Sequence, residues 1–193
     1  MRHNYRLEGY AFALRPVELN DAGFIVQLRA AEPHRVRYLH DVAPDVQQQR
    51  SWLERYFERE HDYYWVIERL QSGYPEGLIG IYDLNPAEGN AEWGRWVLRA
   101  GSLAAVESAL LVYRTAFEVL GLDVLSCVTV ADNRPVLSFH DSSGLYRLSL
   151  LPQHFKLGDQ TYDAVKHICT KANWPAVRNR LEPQAQLIGQ RLK

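Results

Sequence analysis

The chain has 193 residues, enough for one domain with a substantial core and too few for two comfortable ones. Hydrophobic residues make up 47%, charged residues 23% and the formal net charge is −1, so there is no basic excess to hold a nucleic-acid backbone. Only two cysteines, Cys127 and Cys169, and seven scattered histidines argue against a disulfide framework and give a metal site no support from spacing.

The first residues, Met1 to Arg6, lack the apolar stretch of a signal peptide, and no apolar run is long enough to cross a bilayer. The expected compartment is therefore the cytoplasm, with neither membrane nor nucleic acid as partner. Phe12 to Val17 predicts a short strand. Asn20 is placed to cap a helix that carries Phe24, Ile25 and Leu28 on one face, and Asp45 a second with Val46, Leu53, Tyr56 and Phe57 as its apolar side. Three consecutive strands follow, YYWVIE (Tyr63 to Glu68), GLIGIYDL (Gly77 to Leu84) and AEWGRWVL (Ala91 to Leu98).

Leu103, Val106, Leu110, Tyr113, Phe117 and Leu120 recur at steps of three and four, which predicts the longest buried helix face, opened by Ser102 and closed by Gly121. Val124 to Val130 is a strand. Asn133 and Pro135 open a helix reaching Ser142, Gly144 ends it, and Tyr146 to Leu150 begins a return strand. Antiparallel strands followed by a βαβ passage make an α/β (α+β) domain: a mixed, mostly antiparallel sheet with helices on both faces. Composition turns polar after Trp174, so the domain is assigned to residues 1–174 and residues 175–193 to a polar C-terminal tail or docked helix.

The order of elements, with the strings LRPVELNDA, GLIGIYDL, AEWGRWVL, AFEVLGLDVL and VADNRPVLSFHDSSGL, resembles the GNAT N-acetyltransferase superfamily over residues from about Phe12 to about Thr170. It looks closest to the RimJ/RimL-like branch and the amino-sugar acetyltransferases near it. The resemblance implies a GNAT domain and transfer of an acetyl or other short acyl group from acyl-CoA, used as co-substrate without a metal, to a primary amine. One departure is large. The family's Gln/Arg-x-x-Gly-x-Gly/Ala turn at the head of the long helix corresponds to Ala100 to Ala105, where only Ala105 fits the pattern and Leu103 replaces the first glycine.

A CoA pyrophosphate needs backbone N–H donors at a helix N-terminus. Gly101, Ser102, Leu103, Ala104 and Ala105 are the candidates here, with Asn133 expected to hold the CoA arm. The amides of Val97 and Leu98 are expected to polarise the thioester carbonyl where the strand splays. Glu92 is the candidate base for the amine, and His140, where the family usually has a tyrosine, the candidate acid for the departing thiolate.

Arg29, His34, Arg35, Arg37, Tyr38 and His40 follow the first helix, where the family walls its acceptor site. Tyr82, Asp83, Trp93 and Trp96 offer a stacking surface. The substrate-binding candidates are Arg29, His34, Tyr38, Tyr82, Trp93 and Trp96. They suit a small anionic acceptor such as a nucleotide-linked amino sugar; a homodimer is compatible with this reading. Protein N-terminal acetylation of the RimJ/RimL type, and a non-catalytic GNAT-like binding domain with an eroded CoA site, remain as alternatives.

Overall fold

The computed structural model describes residues 2–31, 38 and 45–192. Eight strands form one sheet: β1 (Leu7–Glu8), β2 (Phe12–Pro16), β3 (Tyr63–Arg69), β4 (Pro75–Asn85), β5 (Asn90–Leu98), β6 (Val124–Val130), β7 (Tyr146–Leu157) and β8 (Gln160–Thr170), in spatial order β1-β2-β3-β4-β5-β6-β8-β7. Among the described residues only the β5–β6 pair is parallel. Five α-helices occur among the described residues: α1 (Ala22–Ala31), α2 (Val46–Tyr56), α3 (Ala105–Arg114), α4 (Arg134–Ser143) and α5 (Trp174–Arg191).

The sheet is buried on both faces at its centre. Along β3, Tyr63, Trp65 and Ile67 enter the larger core with α3 and α5, while Tyr64 and Val66 enter a second core with α1 and α2. This is why YYWVIE reads as an unbroken apolar run rather than an alternating one. Helix α3 is buried on every side from Glu107 to Tyr113, as its position between sheet and α5 requires. Its one carboxylate, Glu107, accepts the backbone N–H groups of Tyr10 and Ala11, satisfying the turn between β1 and β2 from inside the core.

Several local expectations change. The turn before α1 is closed by Asp21, whose carboxylate accepts the Glu18 N–H at 2.7 Å, and not by Asn20. Asp45 does cap α2, accepting the Gln47 N–H at 2.8 Å. Leu103 lies outside α3 and is 48% exposed, so the helix starts two residues later than its periodicity suggests. After Arg114 the helix widens into a π turn, with Leu120 N–H donating to the Thr115 carbonyl. The return strand after Gly144 runs on to Leu157, turns at Gly158 (φ 59°) and comes back as β8, which inserts between β6 and β7. Helix α5 packs against α3, with Val177, Leu181 and Ala185 in the main core.

Candidate active site

β5 and β6 run together only at Asn90↔Val124, Ala91↔Leu125 and Glu92↔Ser126. Beyond Glu92 they diverge, β5 continuing to Leu98 and β6 to Val130, each held by its other neighbour. The resulting fork opens into a cleft of about 1250 Å³. One half is walled by residues from Trp93 to Leu98, by Ala105, by Cys127 to Val130, and by Asn133, Val136, Phe139 and His140 of the loop and α4; the other by Arg29, Tyr38, Gln49, Trp52, Arg55, Tyr82 and Asp83.

Backbone alternation decides which amide faces the fork. Arg99 N–H donates to the Glu76 carbonyl at 2.8 Å, toward β4. Two residues back, Val97 faces β4 as well, and Leu98 turns its N–H into the fork. Of the two amides expected to polarise a carbonyl there, only that of Leu98 is directed to the cleft.

Two bulges in the β4–β5 pair shape the closed end. An extra residue on β5 between Gly94 and Val97 puts Arg95 at φ 51°, and an extra residue on β4 after Tyr82 puts Asp83 at φ 52°. Left-handed backbone at two non-glycine residues flanking one cleft is strain that the surrounding structure must hold. Arg95 is held firmly: it forms a two-pronged ion pair with buried Asp62 and lies over the Tyr82 ring, 4.5 Å from its centre, and the Tyr64 ring at 5.5 Å.

Glu92 and Tyr82 face each other across the strand pair, and the Tyr82 hydroxyl donates to the Glu92 carboxylate at 3.1 Å. Burial pushes the Glu92 carboxyl above its ordinary range; the tyrosine hydrogen bond and, more weakly, Lys166 oppose this, while Asp83 adds to it. Gly94 makes room for the contact, because a Cβ there would lie 2.4 Å from the Tyr82 hydroxyl.

His140 is only 2% exposed. Burial, with a smaller repulsion from His167, lowers its pKa to about 3, so it is neutral at pH 7. Its Nε2 contacts the Cys127 thiol at 3.5 Å, and the ring stands edge-on to Trp93. Cys127 is buried and its thiol is pushed well above the usual range by burial, as suits a packed sulfhydryl rather than a nucleophile.

The cleft therefore gathers Glu92, His140, Val97, Leu98, Ala105, Asn133, Arg29, Tyr38, Tyr82, Trp93 and Trp96 from the sequence-predicted set. Trp93 borders it from the core, its indole N–H donated to Tyr113 Oη at 3.1 Å, so it is no exposed stacking surface. Trp96 is partly buried and donates to Ser108 Oγ at 3.1 Å. Gly101, Ser102, Leu103 and Ala104 are not brought into the cleft; they lie just before α3, whose N-cap Ala104 makes no side-chain capping bond. His34, Arg35, Arg37 and His40 fall outside the described residues. Sequence reasoning missed Asp62 and Arg95, whose meeting depends on an unpredicted bulge, and Gln49, which does carry a signal: it lies on the stripe Gln49, Leu53, Tyr56 that α2 buries.

Among the described residues, no group of three His, Cys, Asp or Glu side chains is arranged to hold a metal ion, and no helix is long and apolar enough to cross a membrane.

Residues 12–145 match the family model described as an acetyltransferase (GNAT) domain, and the chain belongs to this family. It is a GNAT-type N-acetyltransferase, and enzymes of this family use acetyl-CoA. No curated protein sequence matches the chain. Among solved structures, FdhC, a nucleotide-linked sugar GNAT, is 29% identical, with 93% of this chain and 99% of that one covered and a TM-score of 0.77. A T. thermophilus protein assigned as an acetyltransferase is 27% identical, with 95% and 98% covered and a TM-score of 0.79. The spermidine/spermine N-acetyltransferase SpeG of Vibrio cholerae shares the fold, at 15% identity, 87% and 98% coverage and a TM-score of 0.75.

Proposed function

We propose that this enzyme acetylates the primary amine of a small anionic acceptor, a nucleotide-linked amino sugar, with Glu92 as the base. The observation that carries the reading is the cleft itself: a carboxylate of raised pKa at the closed end of the fork, with Arg29 and Arg55 on the acceptor wall, Arg95 being committed to Asp62. A wall with two guanidinium groups favours an anionic acceptor over a polycationic chain. The likeness to FdhC, a nucleotide-linked sugar GNAT, supports the same acceptor class.

Binding and chemistry fall to different residues. The first-turn amides of α3, from Ala105 to Glu107, offer donors to a diphosphate, whereas the N–H groups of Ser102 and Ala104 are taken by the Arg99 carbonyl and Ser102 Oγ; Asn133, on the cleft wall, is the group to hold the pantetheine arm. Acetyl-CoA supplies an activated acyl group, whose carbonyl needs a donor aimed at its oxygen; the Leu98 N–H is available in the fork. Glu92 takes the ammonium proton, directly or through one water, and its raised pKa brings it nearer to neutrality, where proton transfer is most effective. His140, held neutral, contributes by keeping the Cys127 side of the fork packed and polar.

The test is release of free thiol from acetyl-CoA with three acceptors: an amino-sugar nucleotide, a peptide with a free N-terminus, and spermidine. Turnover with the first and little with the others is expected. Preference for the peptide or spermidine would overturn the acceptor assignment, and no thiol release with any amine would overturn the placement of Glu92 and Leu98 in a working site.

A further inference from the structure

We propose that Gln49 is a specificity-determining residue of the acceptor half of the cleft, reading a neutral group that presents a hydrogen-bond donor and an acceptor side by side. The inference rests on the reading of this cavity as the acceptor site. Helix α2 buries one stripe, Gln49, Leu53 and Tyr56, at steps of four and three. Leu53 and Tyr56 fill it as expected, joining the core under the sheet. Gln49 takes the third place with a carboxamide, and it is only 6% exposed.

A buried amide normally finds partners, because an unmet donor or acceptor in the interior is destabilising. The neighbouring polar groups do: Tyr56 Oη donates to the Asp62 carbonyl at 3.1 Å, and the Asp62 carboxylate is taken by Arg95 and Arg59. No side-chain hydrogen bond to Gln49 is found among the described residues; its carboxamide is not sealed in the interior but reaches the cleft that the residue lines, beside Trp52 of the same helix. A leucine would complete the stripe. A glutamine there is explained by a partner that arrives with the substrate.

The chemistry of the partner follows from the carboxamide, which offers one acceptor oxygen and two N–H donors in a plane. It pairs with the lactam edge of a pyrimidine base or with neighbouring hydroxyls of a sugar ring, and it gives nothing to an alkyl chain. Both groups occur in a nucleotide-linked sugar. A site built this way rejects analogues lacking the polar group, because its own amide is then left unpaired.

The experiment compares wild type with Gln49→Leu and Gln49→Glu. Acceptor affinity is measured by calorimetry with an amino-sugar nucleotide and with the matching amino-sugar 1-phosphate, and the thermal midpoint is measured without ligand. The expected result for Gln49→Leu is a midpoint raised by about 2–4 °C, unchanged acetyl-CoA affinity, and acceptor affinity lowered about tenfold. Loss with the nucleotide alone assigns Gln49 to the base; loss with both acceptors assigns it to the sugar. Gln49→Glu, which keeps an acceptor and removes the donors, should lose affinity as well. If Gln49→Leu binds both acceptors like wild type, or its midpoint falls, the inference is wrong while the function stands. If wild type binds neither acceptor, the function proposed above fails and this inference with it.

Discussion

Tyr82 and Glu92 are directly opposed across the β4–β5 pair, and the tyrosine hydroxyl donates to the carboxylate at 3.1 Å in the space that Gly94 leaves open. The contact opposes the effect of burial on Glu92, holding its pKa lower than the cavity alone would set it. Tyr82→Phe should therefore move the acid limb of the kcat/KM profile to higher pH. Gly94→Ala should shift the limb the same way, since its methyl displaces the hydroxyl. A pH–rate series on both variants checks this, and an unmoved limb in Tyr82→Phe would separate the tyrosine from the base.

Glu92→Gln keeps the shape of the closed end and removes the proton acceptor. Turnover should fall about 10²- to 10⁴-fold, with acetyl-CoA affinity by calorimetry unchanged. A variant that keeps wild-type turnover would rule out Glu92 as the base.

Arg95 and Asp62 should behave as a coupled pair. Asp62 is buried and Arg95 mostly so, and removing one partner leaves the other charge uncompensated. Asp62→Ala and Arg95→Ala should each cost about 3 kcal/mol or more, and the double variant clearly less than the sum. Urea unfolding of the four proteins of the cycle measures the coupling; additive losses would mean that the pair does not hold the bulge.

The neutral, buried His140 gives the protein an acid-sensitive stability. Its folded pKa of about 3 lies below the unfolded value of 6.5, so the unfolded chain takes up the proton first as pH falls. Stability from this group is complete above pH 6.5 and is lost progressively toward pH 3. His3, lowered to about 4 mainly by burial, adds a loss of the same sign. Between pH 7 and pH 5 the His140 contribution should fall by about 2 kcal/mol. The difference in unfolding free energy between wild type and His140→Gln at the two pH values isolates it, since Glu92 and Glu107, with raised values of opposite effect, are common to both.

What the sequence made legible was what rests on local pattern. The runs YYWVIE and VLSCVTV became strands because apolar and β-branched residues crowd them, and Asp45 and Gly144 mark helix ends through local backbone chemistry. The site was legible as a set of positions but not as an arrangement. The bulges at Asp83 and Arg95 arise from register between two strands, which neither strand's own sequence encodes. Leu103 keeps the periodicity of α3 yet stays half-exposed, because the chain is still in the turn that leads into the helix. β8 was missed because its buried positions begin only at Ala164, after a polar first half.

A crystal structure with acetyl-CoA tests the central claim most directly. The account places the thioester arm between β5 and β6, with its carbonyl oxygen within hydrogen-bonding distance of the Leu98 N–H and the diphosphate at the head of α3. Acetyl-CoA found outside the fork, or its carbonyl turned away from Leu98, would contradict it.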